Sequence, residues 1–359
     1  MTTLRARAPH DPALASDILA RSARMHEAVM RAAEVFHPSL FWRDIGRQNE
    51  GFIETYGLEN FKRTISQNYF NWAVEGPYDP QMQVLLRAWA DAPIPTPLEC
   101  GLLGDPAVLS INDTEYLTSP SAARGYTLFV GLLWWWLSQR DPGGHNLKLN
   151  EPDVGNPIRM EFRGQAISQD LANSLRDFLR MEPHLAAENA VLAEIGAGYG
   201  RVGSVALQLR SSLRYWIFDI APALAVSEWY LETTFPDRKV FRWRPFDRWE
   251  DVADEIAAAD IALFTVDQLA LVPDGSVDCF AAISALHEMR PEQIEAYMAL
   301  MARTSRAIYT KNWTTWRNPH DAFDFSSEAL QAPGGWRTAL EVVDPIIPAF
   351  TEKLFVAGG

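Results

Sequence analysis

Val191-Leu-Ala-Glu-Ile-Gly-Ala-Gly-Tyr-Gly-Arg-Val-Gly203 reads as a buried strand that ends beside an acid and runs into a glycine-dense turn. Gly196, Gly198 and Gly200, with Ala197 between the first two, remove most of the Cβ atoms that would hold a ligand off the backbone. They also permit φ > 0 where the chain reverses. Val205, Ala206 and Leu209 then supply the apolar stripe of a helix. Strand, glycine turn and helix in this order form a nucleotide-type cofactor turn.

Gly198-Tyr-Gly200-Arg-Val-Gly203 also satisfies the G-x-G-x-x-G pattern of dinucleotide enzymes, so glycines alone leave NAD open. Phase favours another cofactor. With the strand at Val191–Ile195, the pattern is E-x-G-x-G-x-G, and Glu194 would repel a pyrophosphate seated on the turn. S-adenosylmethionine (SAM) carries a sulfonium and an ammonium and no phosphate, which suits that acid. Asp219 closes the next strand, Tyr215–Asp219, 25 residues after Glu194, where a carboxylate can accept both ribose hydroxyl hydrogens. The plainer alternative is an Asp that caps a helix over Pro222–Tyr230.

At 359 residues and 48% apolar, the chain can bury a large core as two domains or one elaborated domain. Its net charge is −14 with no Lys/Arg cluster, which argues against nucleic acid or an anionic membrane as partner. A small neutral or cationic substrate fits better. Cys100 and Cys279 lack C-x-x-C spacing, and no secretory leader is visible, so a reducing cytoplasm is expected and no metal is expected. The apolar run Tyr126–Leu137, with Trp134-Trp-Trp136, falls short of the roughly 20 residues that span a bilayer. It reads as a buried helix or as a subunit-contact helix, the latter implying a homodimer.

Residues 1–155 read as a mostly helical domain, with apolar positions at helical spacing in Leu14, Ile18, Met25, Val29, Ala32 and Phe36, and again in Val84, Leu85, Ala88 and Trp89. Pro93-Ile-Pro95-Thr-Pro97 and Asp141-Pro-Gly-Gly144 mark connections between helices. Residues 156–359 alternate strands and helices, the signature of an α/β domain with a mainly parallel sheet. A helix Ser168–Met181 starts at a capping serine, and strands follow at 191–195, 215–219, 277–284 and 307–310. Both 239–243 and 261–266 qualify as a third strand, and the second is favoured because it feeds the Pro273-Asp-Gly275 turn. A helix Pro291–Arg303 follows, and 339–344 with 352–356 reads as a closing antiparallel hairpin.

Several segments together resemble the family of sugar O-methyltransferases found in natural-product gene clusters. They are Glu151-Pro-x-x-Gly-Asn-Pro157, Ile167-Ser-Gln-Asp-Leu-Ala-Asn-Ser174, the glycine turn, Phe218-Asp-Ile-Ala-Pro222, Ser284-Ala-Leu-His-Glu-Met289 and Lys311-Asn-Trp313. The resemblance implies a class I, Rossmann-like SAM-dependent methyltransferase, with a mainly parallel seven-stranded sheet whose last strand is antiparallel. The N-terminal helical domain would then cover the acceptor side of the cleft. Two departures are Asn312, where the family has glutamine, and Asp267, where it often has an apolar or aromatic residue.

Methyl transfer from a sulfonium is a displacement on an already activated carbon, so a hydroxyl acceptor needs alignment and a base. His287, beyond the fourth strand, is the candidate general base, and Glu288 orients it or binds the acceptor. The plainer reading is a histidine that hydrogen-bonds its own loop. Gln169 and Asn173 share a helix face and are assigned to the methionine end of SAM or the acceptor, with Asp170 toward the substrate. A polar outer helix face is the alternative. Asp267 or Gln268 is expected at the adenine amine, Ile220 and Ser284 at the cofactor rim, and Lys311 and Trp313 at the acceptor. Two rivals remain: N-methylation of a small cation such as free arginine, held by acids including Glu161, Asp170 and Glu288, and a non-catalytic partner subunit.

Overall fold

The structure is a computed structural model that describes residues 8–65, 74, 76–92, 99–103, 120–318, 320–321 and 323–358. Pro93-Ile-Pro95-Thr-Pro97 lies outside the described residues. Helices are α1 (Pro12–Arg31), α2 (Leu40–Tyr56), α3 (Phe61–Thr64), α4 (Pro80–Ala90), α5 (Pro120–Ser138), α6 (Gln169–Met181), α7 (Arg201–Leu209), α8 (Ala223–Thr234), α9 (Ala253–Ala257) and α10 (Pro291–Thr304). Strands are β1 (Cys100–Leu102), β2 (Met160–Phe162), β3 (Gln165–Ile167), β4 (Val191–Ile195), β5 (Arg214–Asp219), β6 (Val240–Phe241), β7 (Ile261–Thr265), β8 (Val277–Ile283), β9 (Ser305–Trp313), β10 (Thr315–Asn318), β11 (Phe323–Ser326), β12 (Trp336–Val343) and β13 (Phe350–Ala357).

Two compact units divide the chain, and the division is not a single break at 155/156. The first unit is Met1–Ala15, Gly51–Leu179 and Pro345–Pro348; the second is Ser16–Glu50, Arg180–Asp344 and Ala349–Gly359. Helical periodicity finds α1 and α4 but cannot say which core the apolar face of α1 joins. Val29 of α1 belongs to the core of the sheet, so residues 16–50 group with it.

In the second unit an eight-stranded sheet has the order β12-β13-β9-β8-β4-β5-β7-β6. The six strands from β4 to β9 in the chain run parallel, while β13 is antiparallel to both β9 and β12. This is the Rossmann-like arrangement expected, with one strand more than seven. Both candidates for the third strand are strands, and the favoured one, β7, pairs directly with β5, whereas β6 contributes only two residues at the edge. The physical reason is burial. Ile261–Thr265 is buried throughout, but Arg242 and Arg244 carry exposed charge beyond Phe241.

Alternation sorts β4 and β5 onto two apolar faces. Val191, Ala193, Ile195, Trp216 and Phe218 face a core closed by Ile256 of α9 and by Tyr297, Met298 and Met301 of α10. On the other face α7 packs so closely that a Cβ at Gly203 would lie 2.0 Å from the Tyr215 ring. Only glycine fits there.

The first unit holds α3, α4, α5 and a small antiparallel sheet, β1-β2-β3, that the mostly helical reading did not include. Arg163 and Gly164 join β2 to β3 with φ of 51° and 83°, as a two-residue hairpin needs, and these three-residue strands are too short to show a period. The tryptophan run lies within α5, with Trp134 fully buried. The Glu151 motif is also structural. Its carboxylate takes Lys62 Nζ at 2.5 Å and Ser168 Oγ at 2.7 Å, and Ser168 Oγ in turn accepts from Leu171 N at the start of α6.

Candidate functional site

Chain order reverses direction across the sheet between β4 and β8, and ligands of open α/β sheets bind at the carboxyl ends of strands at such a point. β4 ends in the glycine turn and β8 in Ser284-Ala285. Gly196, at φ 68°, comes so close to Ala285 that a Cβ on it would lie 2.7 Å from the alanine Cβ. Ser284 itself has φ 55°, a left-handed value uncommon outside glycine. The two loops are in contact at the reversal.

Asp219 reaches under the turn from the end of β5. Gly198 N donates to Oδ2 at 2.9 Å and Ile220 N to Oδ1 at 2.7 Å, so this carboxylate is an organiser of the turn as well as a candidate ligand. Burial pushes its pKa up to about 7, against the pull of the backbone N–H groups of Ile220, Gly198 and Ala197. Glu194 is buried, and Tyr215 Oη donates to its Oε2 at 2.6 Å. Burial and the adjacent carboxylate hold the tyrosine protonated.

The pair expected at the adenine separates. Gln268 Oε1 accepts from Thr265 N at 3.0 Å and its Nε2 donates to Arg244 O at 2.9 Å, so its amide is committed to capping the 3-10 turn Val266–Leu271. Asp267 alone keeps an open acceptor, since its buried Oδ1 has no hydrogen-bond partner.

His287 and Glu288 sit in the 3-10 turn after β8. His287 is wholly buried, with its Nδ1 3.1 Å from Asn312 Oδ1 and its Nε2 3.5 Å from Glu288 Oε1. Leu286 N and His287 N also donate to Asn312 Oδ1, at 3.1 and 3.4 Å. Trp42 hydrogen-bonds the Glu288 carboxyl, yet burial still raises its pKa above the usual carboxylate range. His287 Nε2, Glu288 Oε2 and Asn312 Nδ2 are buried without a hydrogen-bond partner. Asn312 is the functional candidate that residue reading missed, although its departure from the family pattern pointed at it.

Other expectations need correction. Lys311 is not at an acceptor surface: it is fully buried in β9 and ion-paired to Asp344 at 2.5 Å, with Glu352 at 3.9 Å. In a strand buried on both faces, its cation is retained by these two acids. Trp313 is half-buried with its ring 5.0 Å from Phe350, so packing occupies one face. Gln169, Asp170 and Asn173 belong to the first unit and are buried, not on an outer polar face. There, Tyr126 Oη donates to Gln169 Oε1 at 3.0 Å, and Arg176 Nη1 donates to Asn173 Oδ1 at 3.2 Å. Glu161, invoked for a cationic acceptor, is exposed in β2.

No family model matches the chain, and no curated protein matches it in sequence. Solved structures do match. The pyocyanin biosynthetic protein PhzM is 14% identical over 52% of this chain, with a TM-score of 0.35, and the chain spans only 56% of its length. A SAM-dependent methyltransferase from Aquifex aeolicus is 12% identical over 50% of this chain and 88% of its own, with a TM-score of 0.31. Magnesium protoporphyrin IX methyltransferase ChlM from Synechocystis PCC 6803, solved with SAM bound, is 11% identical over 53% and 79%, with a TM-score of 0.33. No helix among the described residues is long and apolar enough to cross a membrane.

Proposed function

We propose that the protein is a SAM-dependent methyltransferase that acts on a hydroxyl of a sugar or sugar-like acceptor in secondary metabolism. The observation that carries this reading is the contact of the glycine turn with the Ser284-Ala285 loop at the sheet's reversal, because His287 and Glu288 follow in that same loop. The residues present fit the cofactor. Gly196 and Gly198 bring bare backbone to it, Asp219 accepts ribose hydroxyls, and Asp267 Oδ1 is an unpaired buried acceptor for an adenine amine.

When bound, SAM supplies a methyl group already activated by a sulfonium. The chain's own task is then to hold the acceptor and take its proton, which the His287–Glu288 pair does. The sugar class and the metabolic setting rest on the sequence resemblance.

Isothermal titration tests the cofactor first: S-adenosylhomocysteine should bind and NAD should not. NAD binding with no response to the sulfur compound would sink the reading. Methylation of a small cation remains the second reading, favoured by the unpaired Glu288 Oε2, which an N–H donor would satisfy as well as an O–H. Radiolabelled transfer to arginine but not to methyl glycosides would select it.

A further inference from the structure

We propose that Glu288, not His287, meets the acceptor, and that His287 stands behind it as a positioning residue and proton store whose tautomer is set by Asn312. This inference rests on the transferase reading above.

The tautomer follows from which atoms can donate. Leu286 N and His287 N are backbone donors, and both point at Asn312 Oδ1, so the amide cannot be flipped without facing donor to donor. His287 Nδ1, 3.1 Å from that same oxygen, must therefore carry a hydrogen. The neutral imidazole then has its lone pair on Nε2. That nitrogen lies 3.5 Å from Glu288 Oε1, beyond the usual hydrogen-bond distance. Two facing acceptors explain a spacing longer than a normal hydrogen bond, and one proton between them would remove the conflict.

Access decides the order of the two groups. The His287 side chain is 1% exposed and that of Glu288 is 12% exposed. Trp316, Phe325 and Phe350 flank the imidazole edge-to-face with ring centroids 5.2, 6.0 and 6.3 Å away, so apolar rings close its other sides. The polar group beside Nε2 is the Glu288 carboxyl, whose Oε2 is itself buried and without a hydrogen-bond partner.

The step balances. The acceptor O–H bond breaks and its oxygen, keeping that electron pair, forms an O–CH3 bond as the S–CH3 bond of the sulfonium breaks. The sulfur keeps the S–C pair as a neutral thioether. The proton passes to Glu288 and comes to rest between its Oε1 and His287 Nε2, giving an imidazolium held by Asn312 on one side and a carboxylate on the other.

Nitrogen-15 NMR of the folded, histidine-labelled protein tests the tautomer without any acceptor. At a pH where the ring is neutral, His287 should show a protonated Nδ1 and a bare Nε2, and Asn312→Asp, which keeps the acceptor oxygen, should preserve that pattern. A protonated Nε2 in the wild-type chain overturns the proposal. Acylation by diethyl pyrocarbonate tests access, because a buried ring reacts only through local opening: His287 should react at least about tenfold more slowly than the exposed His26. Equal rates overturn the placement of Glu288 in front. Titration of the same sample with S-adenosylhomocysteine keeps the two failures apart, since absent binding sinks the transferase reading while the tautomer result stands.

Discussion

Lys311 and Asp344 form an ion pair at 2.5 Å in which neither side chain is exposed. Removing one member of such a pair leaves the other charge buried and uncompensated, at a cost of about 3–5 kcal/mol. Lys311→Met should therefore lower the free energy of unfolding by that amount in urea titrations. A loss below about 1 kcal/mol would mean that Asp344 is compensated by another group or by solvent rather than by Lys311.

Asp219 makes cofactor affinity depend on pH in a definite direction. Its pKa in the free protein is pushed up to about 7, and ribose hydroxyls donating to it favour the ionised form, so binding lowers that pKa and releases a proton. Affinity for S-adenosylhomocysteine should rise as pH rises through about 7 and then level off. Stability runs the other way. A carboxyl whose pKa is raised on folding contributes stability that is present below the ordinary carboxylate range and is lost as pH climbs through about 7. Asp219→Asn should flatten the affinity profile, and calorimetry in buffers of different ionisation enthalpy would detect the missing proton release.

Gly196→Ala combines two penalties that a second glycine separates. Both Gly196 and Gly275 have positive φ, 68° and 64°, but only at Gly196 does an added Cβ meet an atom, at 2.7 Å from Ala285. Each substitution should cost about 1–2 kcal/mol for the left-handed backbone. Only the Gly196 variant should also lose S-adenosylhomocysteine binding. Thermal melts and titrations of both would show this, and equal behaviour would mean that the loop contact is unimportant.

Asp267 and Gln268 should respond in opposite ways. Gln268→Ala removes the reciprocal cap on Thr265 and should lower stability by about 0.5–2 kcal/mol. Asp267→Asn should leave the melting temperature within error and weaken S-adenosylhomocysteine, because its open oxygen has no structural partner to lose. The reverse pattern would exchange the roles of the two residues.

Much of the sheet was legible because its signals are local. Val191–Ile195 and Ile261–Thr265 are buried throughout and apolar except at Glu194 and Thr265, as strands covered on both faces of a parallel sheet are, and the glycine turn follows its strand directly. The Arg163-Gly164 hairpin and the three-residue strands around it went unread because so short a segment carries no period. Candidates at His287, Glu288, Asp219 and Asp267 could be named from the sequence, but their hydrogen-bond partners could not. Asn312 lies 25 residues beyond His287, and no spacing rule connects them; β8 and β9 do, by running side by side in parallel.

By itself the sequence determined where strands, turns and helices form, since propensity, alternation and φ > 0 requirements act within a few residues. Tertiary structure alone decided which charges meet and which atoms solvent can reach. Lys311 became a core cation, Gln268 a cap and His287 a ring shielded by aromatics, because desolvation and hydrogen-bond partnership depend on groups brought together from distant parts of the chain.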